Sequence, residues 1–139
     1  MPTPTPTRTV LIIDDEAPIR TAVRFILEEE GYAVLEAPDG RVGLDLLRAS
    51  DGPLIVLLDL LLPTMSGVVL LHSLAAELTL AERHAFIIFS ATRAFSAPTL
   101  QSYLPGKRLF DLPKPFDVDD LVAIVGQAVR QLEGEHDAG

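Results

Sequence analysis

Short apolar runs alternate five times with amphipathic stretches along this chain, and that alternation restricts the fold more than any other feature. The runs are "TVLII" (9–13), "YAVLEA" (32–37), "LIVLLD" (54–59), "AFIIFS" (85–90) and "RLFDL" (108–112). Brief runs rich in β-branched and aliphatic residues suit strands covered on both faces. The segments between them carry helical spacing. Within 14–31, Ile19, Ala22, Val23, Ile26 and Leu27 share one face. Pro18 suits a first turn there, and Gly31 a C-terminal cap. Within 38–50, Val42, Leu46 and Leu47 are expected to point inward, with Gly43 weakening the helix. Further helices are expected over 66–78, over 97–104 with Pro98 in its first turn, and over 117–132 with acids at its N-terminal end. Five strands alternating with five helices argue an α/β fold, a parallel sheet flanked on both faces. Right-handed crossovers narrow the topology further.

Such sheets bind ligands beyond the carboxyl ends of their strands. The residues found there are Asp14 and Asp15, Asp59, Ser90 and Ala91, and Lys114. Asp59 is the hardest to dismiss. Nine of the ten residues in "LIVLLDLLLP" (54–63) are apolar or proline, and a lone carboxylate in such company is costly unless something pairs with it or coordinates it. Three converging carboxylates raise one another's pKa values unless a cation compensates. An oxygen-only set without His or Cys favours Mg²⁺, or Mn²⁺, over zinc. One hydroxyl and one ammonium complete a kit suited to phosphoryl transfer, with a carboxylate as nucleophile. In that arrangement Asp59 attacks, Asp14 and Asp15 hold the metal, Ser90 donates a hydrogen bond and Lys114 pairs with the anion.

The totals bound the alternatives. The chain has 139 residues, 48% of them hydrophobic, no cysteine and a formal charge of −9. One domain is expected, without disulfide or thiolate chemistry. The acidic balance disfavours direct nucleic-acid binding. The stretch Pro53–Pro63 is too short to span a bilayer, and "MPTPTPTRT" lacks a hydrophobic signal core, so a cytoplasmic location without membrane attachment is expected. The Pro/Thr alternation at 1–7 reads as a disordered lead-in. His72, His84 and His136 show no metal-binding spacing, and His84, just before the fourth strand, is expected to be exposed. No "GxSxG", "GxGxxG" or "GxxxxGK[ST]" string occurs, which removes the hydrolase-elbow, dinucleotide and P-loop readings.

The strings "VLIIDDE" (10–16), "DLLLPTMSG" (59–67), "FSA" (89–91) and "LPKPF" (112–116), in that order at strand ends, resemble the receiver domains of bacterial two-component response regulators. The resemblance spans residues 8–133, leaving 134–139 as a short C-terminal tail, and is compatible with a stand-alone receiver or with a piece of a larger regulator or hybrid kinase. It implies a flavodoxin-like, doubly wound sheet of order 2-1-3-4-5 with five helices. It implies phosphorylation of Asp59 by a sensor histidine kinase or a histidine phosphotransfer protein, in a signalling domain that phosphorylates and dephosphorylates itself rather than turning over substrate. Metal ligands would be Asp15, Asp59 and the backbone carbonyl of Leu61, with Asp14 acting through water. The Lys114–Pro115 bond would be cis.

Some positions depart from the family pattern. An aromatic usually stands three residues before the lysine, where this chain has Asp111, with Phe110 one earlier. The stretch "RAFSAP" (93–98) shortens the fourth helix, on the helix 4–strand 5–helix 5 surface where the family commonly meets partners. Leu62 takes the place of a methionine, a mild change. Leu61 puts an apolar side chain two residues beyond Asp59, which is expected to slow hydrolysis of an acyl phosphate. On the last helix Leu121, Val125, Ala128 and Leu132 form a core stripe. Val122, Ile124 and Val129 lie partly outside it, a wide core face or a partner surface such as a homodimer's. Two other functions stay open. One is a degenerate receiver acting as a phosphorylation-independent protein-binding module. The other is an Asp-nucleophile phosphatase of the haloacid dehalogenase type, although that family carries its nucleophile after the first strand in a "DxD" string.

Overall fold

The computed structural model describes residues 8–59, 67–77, 82–90 and 109–138. The lead-in at 1–7, Leu61, "RAFSAP" and the helix expected at 97–104 lie outside the described residues. Five strands, β1 (Thr9–Ile13), β2 (Ala33–Ala37), β3 (Leu54–Leu58), β4 (Ala85–Ser90) and β5 (Leu109–Pro113), form one sheet of order β2-β1-β3-β4-β5. Every pairing is parallel. Four helices stand among the described residues: α1 (Ala17–Glu29), α2 (Gly40–Ala49), α3 (Gly67–Ala75) and α4 (Val118–Ala138).

The sheet separates two apolar cores, as the period of two along each strand requires. Leu11, Ile13, Val56, Leu58, Phe86 and Ile88 face α2 and α3 through Leu44, Leu47, Leu70 and Leu74. The alternate residues Val10, Ile12, Ile55, Leu57, Ile87 and Phe89 face α1 and α4 through Val23, Leu27, Leu121, Val125, Ala128 and Leu132. The central strand β3 is buried along its whole length. Burying one such side chain is worth about 1.5–3 kcal/mol, so β1 and β3 anchor the layers on both sides.

Local signals set the helix ends. Pro18 lies in the first turn of α1, where its missing N–H costs no hydrogen bond. Gly31 closes α1 at φ +93°, a backbone conformation open chiefly to glycine. The Asp39 side chain accepts from Val42 N at 2.9 Å and starts α2. The helical phase bears out Leu47 and packs Leu46 at the edge of the core, but turns Val42 outward. Gly40, Gly43, Leu44 and Leu47 are buried, while Val42 is exposed and Leu46 only half-buried. Gly43 is on the inner face because a Cβ there would lie 2.5 Å from Ile13 Cδ1; it is a contact point for β1 as well as a weak helix former. At the other end of the chain Asp117 Oδ1 accepts from Asp120 N at 2.8 Å. From that cap α4 runs on to Ala138, past the end expected at Leu132.

His84 also departs from expectation. It is fully buried, and its Nδ1 accepts a 2.9 Å hydrogen bond from Leu54 N. The ring sits edge-on to Phe86. A neighbouring strand's first N–H needs an acceptor, and the imidazole supplies it.

Candidate functional site

Register brings the acids together. Ile13 and Leu58 are partners across β1 and β3, so the next residues along, Asp14 and Asp59, leave the sheet side by side. Asp59 N donates to Ile13 O at 3.0 Å, and Asp14 N to Ala37 O at 3.1 Å, which carries the strand pattern up to the site. Asp14 is 0% exposed and Asp59 5%, against Asp15 and Glu16, which are exposed.

Lys114 follows β5 and reaches across the end of β4. Its Nζ lies 2.9 Å from Asp14 Oδ2, 3.2 Å from Asp59 Oδ2 and 3.8 Å from Glu16 Oε2. The ammonium also stands 4.7 Å from the centre of the Phe89 ring, within cation–π range. Burial works against this charge. The hydrogen bond to Asp14 and the field of Asp59 outweigh it, and the pKa of Lys114 is raised above its ordinary 10.5. The Lys114–Pro115 peptide is cis, as the resemblance implied.

Every oxygen of Asp14 is engaged. Oδ1 accepts from Glu16 N at 2.8 Å, Oδ2 from Lys114, and the main-chain carbonyl from Arg20 Nη1 at 2.7 Å. Arg20 is itself held by Glu36 of β2, Nε to Oε1 at 3.1 Å. Asp14, Asp15, Glu16 and Asp59 each offer a carboxylate oxygen, all within 4.8 Å of one another. One ammonium, paired with three of these four carboxylates, leaves a negative excess. The oxygen-only donors suit a hard divalent cation that keeps some of its water, so the residues present fit Mg²⁺.

Of the residues singled out from sequence, Asp14, Asp15, Asp59 and Lys114 come together here. Ser90 ends β4 beside them in the sheet, its side chain outside the described residues, as is Leu61. Two contributors were missed. Glu16 was legible only as a third acid after "DD". Arg20 carried no signal beyond a basic residue on the first turns of a helix. Phe110 is half-buried against the core under α1 and α4, and Asp111 is exposed on β5.

Residues 10–126 match the model of the response regulator receiver domain family. Transcriptional regulatory protein CseB of Streptomyces coelicolor is 36% identical over 123 residues, covering 88% of this chain and 50% of that protein. Transcriptional regulatory protein KdpE of Mycobacterium tuberculosis is 37% identical over 122 residues, covering 88% and 51%. The chain thus spans about half the length of these relatives. A CheY-like response regulator receiver domain protein from Methanospirillum hungatei aligns at TM-score 0.73 and 28% identity, covering 93% of this chain and 97% of its own. Response regulator TrrA of Thermotoga maritima, solved in complex with Mg²⁺–BeF, aligns at TM-score 0.73 and 22% identity, covering 88% and 99%. Sheet order, the acids at the ends of β1 and β3 and the extent of the match agree: the chain belongs to the response regulator receiver domain family.

Proposed function

We propose that this receiver accepts a phosphoryl group on Asp59 from the phosphohistidine of a sensor histidine kinase or histidine phosphotransfer protein. The observation that carries the reading is Asp59 itself. It is a nearly buried carboxylate at the tip of the central strand, 3.2 Å from the Lys114 ammonium and inside a cluster of three further acids. In the transfer, a carboxylate oxygen of Asp59 bonds to phosphorus as the P–N bond breaks. The electron pair returns to the imidazole nitrogen, which takes a proton from solvent. Asp14, Asp15, Asp59 and the carbonyl of Leu61 would hold Mg²⁺, or Mn²⁺. Bound there, the metal supplies charge stabilisation to the phosphoryl oxygens. Lys114, kept charged by its carboxylate partners, pairs with a phosphoryl oxygen, and the Ser90 hydroxyl donates to another. The structural neighbour from Thermotoga maritima, bound to Mg²⁺–BeF, supports the metal part of this reading.

Phosphorylation acts by population shift, favouring conformations in which Lys114 and Ser90 contact the new anion. A downstream protein reads the result on the face of β5 and α4. There a groove of about 390 Å³ is lined by Asp111, Leu112, Pro113, Ile124 and Gln127. A cytoplasmic setting is part of this proposal; no helix among the described residues is long and apolar enough to cross a membrane. The match to the receiver family does not favour the phosphatase alternative. The test is incubation with Mg²⁺ and acetyl phosphate, followed by intact mass. Wild type gains one phosphoryl group and Asp59→Asn none; equal uptake by both would remove Asp59 from the role.

A further inference from the structure

Arg20 does something that a bridge between helix and sheet does not require. Its side chain is only 16% exposed. One arm, Nη1, donates to the main-chain carbonyl of Asp14 at 2.7 Å, while Nε donates to Glu36 Oε1 at 3.1 Å. Glu36 is anchored in β2, opposite Ile12 of β1. The edge strand therefore aims a guanidinium at the backbone of the acidic turn. We infer that Arg20 is a positioning residue for the cation site, an inference that rests on the metal reading above. The carbonyl it holds belongs to the planar peptide that leads into Asp15, so fixing that plane fixes where Asp15 leaves the chain. The two carboxylate oxygens of Asp14 are already held by Glu16 N and Lys114. Arg20 supplies the third restraint on the same residue. Partners that orient ligands from behind commonly govern metal affinity as strongly as 10–100-fold.

Electrostatics gives this inference a sign that can be checked. A guanidinium is a positive charge close to a cation site. If charge were its only influence, removing it would tighten Mg²⁺ binding. If it positions the turn, removing it weakens binding. Titration calorimetry with Mg²⁺ alone, on unphosphorylated protein, separates the two. Arg20→Gln is expected to bind Mg²⁺ about 10-fold more weakly, and Arg20→Lys to recover part of the loss by reaching the same carbonyl. Arg24 also pairs with Glu36 but has no contact with Asp14, so Arg24→Gln should stay within about twofold of wild type. Urea unfolding of each variant reports the structural share separately. Arg20→Gln binding Mg²⁺ as tightly as wild type, or more tightly, with only its stability lowered, would overturn the assignment. Should Arg20→Gln fail to fold, Arg20→Lys carries the test at unchanged charge: Mg²⁺ binding weaker than wild type supports positioning, and binding equal to or tighter than wild type overturns it. No Mg²⁺ binding by wild type would instead bring down the metal reading itself.

Discussion

The two ends of the sheet bury polar groups for opposite reasons. At the amino end, His84 is fully buried and accepts from the first N–H of β3. It meets a backbone donor that would otherwise go without its acceptor. At the carboxyl end, Asp14 and Asp59 are buried side by side, with Asp15 and Glu16 at the rim and one lysine among them. The first arrangement lowers the energy of the fold. The second gathers like charge and holds it with a single ammonium, which folding alone does not require. Burial of a polar group is therefore no guide to function until its surroundings are counted.

Substitutions at the two ends should separate along the same line. Lys114→Met removes the cation from two buried acids. Breaking one side of a buried ion pair costs about 3–5 kcal/mol, and denaturant unfolding without metal should show a loss of that order. Mg²⁺ should restore more stability to Lys114→Met than to wild type, because it supplies the missing positive charge. Phosphoryl uptake should stay poor even then. His84→Ala strands Leu54 N and leaves a cavity, at about 3 kcal/mol. Its Mg²⁺ affinity and its phosphoryl uptake per folded molecule should match wild type. Equal Mg²⁺ rescue of both variants would erase the distinction between the ends.

How much of this the sequence disclosed depends on where each residue's partners come from. Strand identity was local: β1 and β3 are aliphatic throughout, and the run itself shows that both faces are covered. The acids were legible because parallel strands bring their carboxyl ends to one edge, so Asp14, Asp59 and Lys114 converge whatever their loops do. His84 was misread because "AERH" looks like a polar loop, and its acceptor role is set by a strand 30 residues away. Val42 was turned inward because helical spacing alone leaves the phase open, whereas the Asp39 cap and the contact of Gly43 with Ile13 settle it. Arg20 and Glu36 belong to different elements, and nothing in either segment announces the other.

Gly43 offers a gentler probe of how the core supports the site, since Ile13 immediately precedes Asp14. Gly43→Ala would gain helix propensity but bring a Cβ to 2.5 Å from Ile13 Cδ1 and 2.9 Å from Ile13 Cγ1. Ile13 is fully buried, so yielding disturbs its neighbours. Overpacking of this kind costs about 1–3 kcal/mol, and a lower urea midpoint with unchanged slope would show it. A midpoint equal to or above wild type would mean that Ile13 has room to turn aside.

The smallest expected effect lies in the alkaline range. The pKa of Lys114 is raised in the folded protein above the 10.5 of an ordinary lysine, the carboxylates outweighing burial. A cation bound more tightly to its proton when folded stabilises the fold below the unfolded pKa and loses that contribution as pH rises through the folded one. Stability should therefore fall as pH climbs beyond about 10.5, with no change owed to Lys114 between pH 6 and 9. Burial likewise raises the pKa of Tyr32 above 10.0, and it too lowers stability at high pH, so wild type alone is ambiguous. The difference between wild type and Lys114→Met isolates the lysine, because Tyr32 is common to both. That difference should shrink above pH 10.5 and stay flat between pH 6 and 9; a gap constant across the alkaline range would mean that the ammonium's charge is not what holds Asp14 and Asp59 in place.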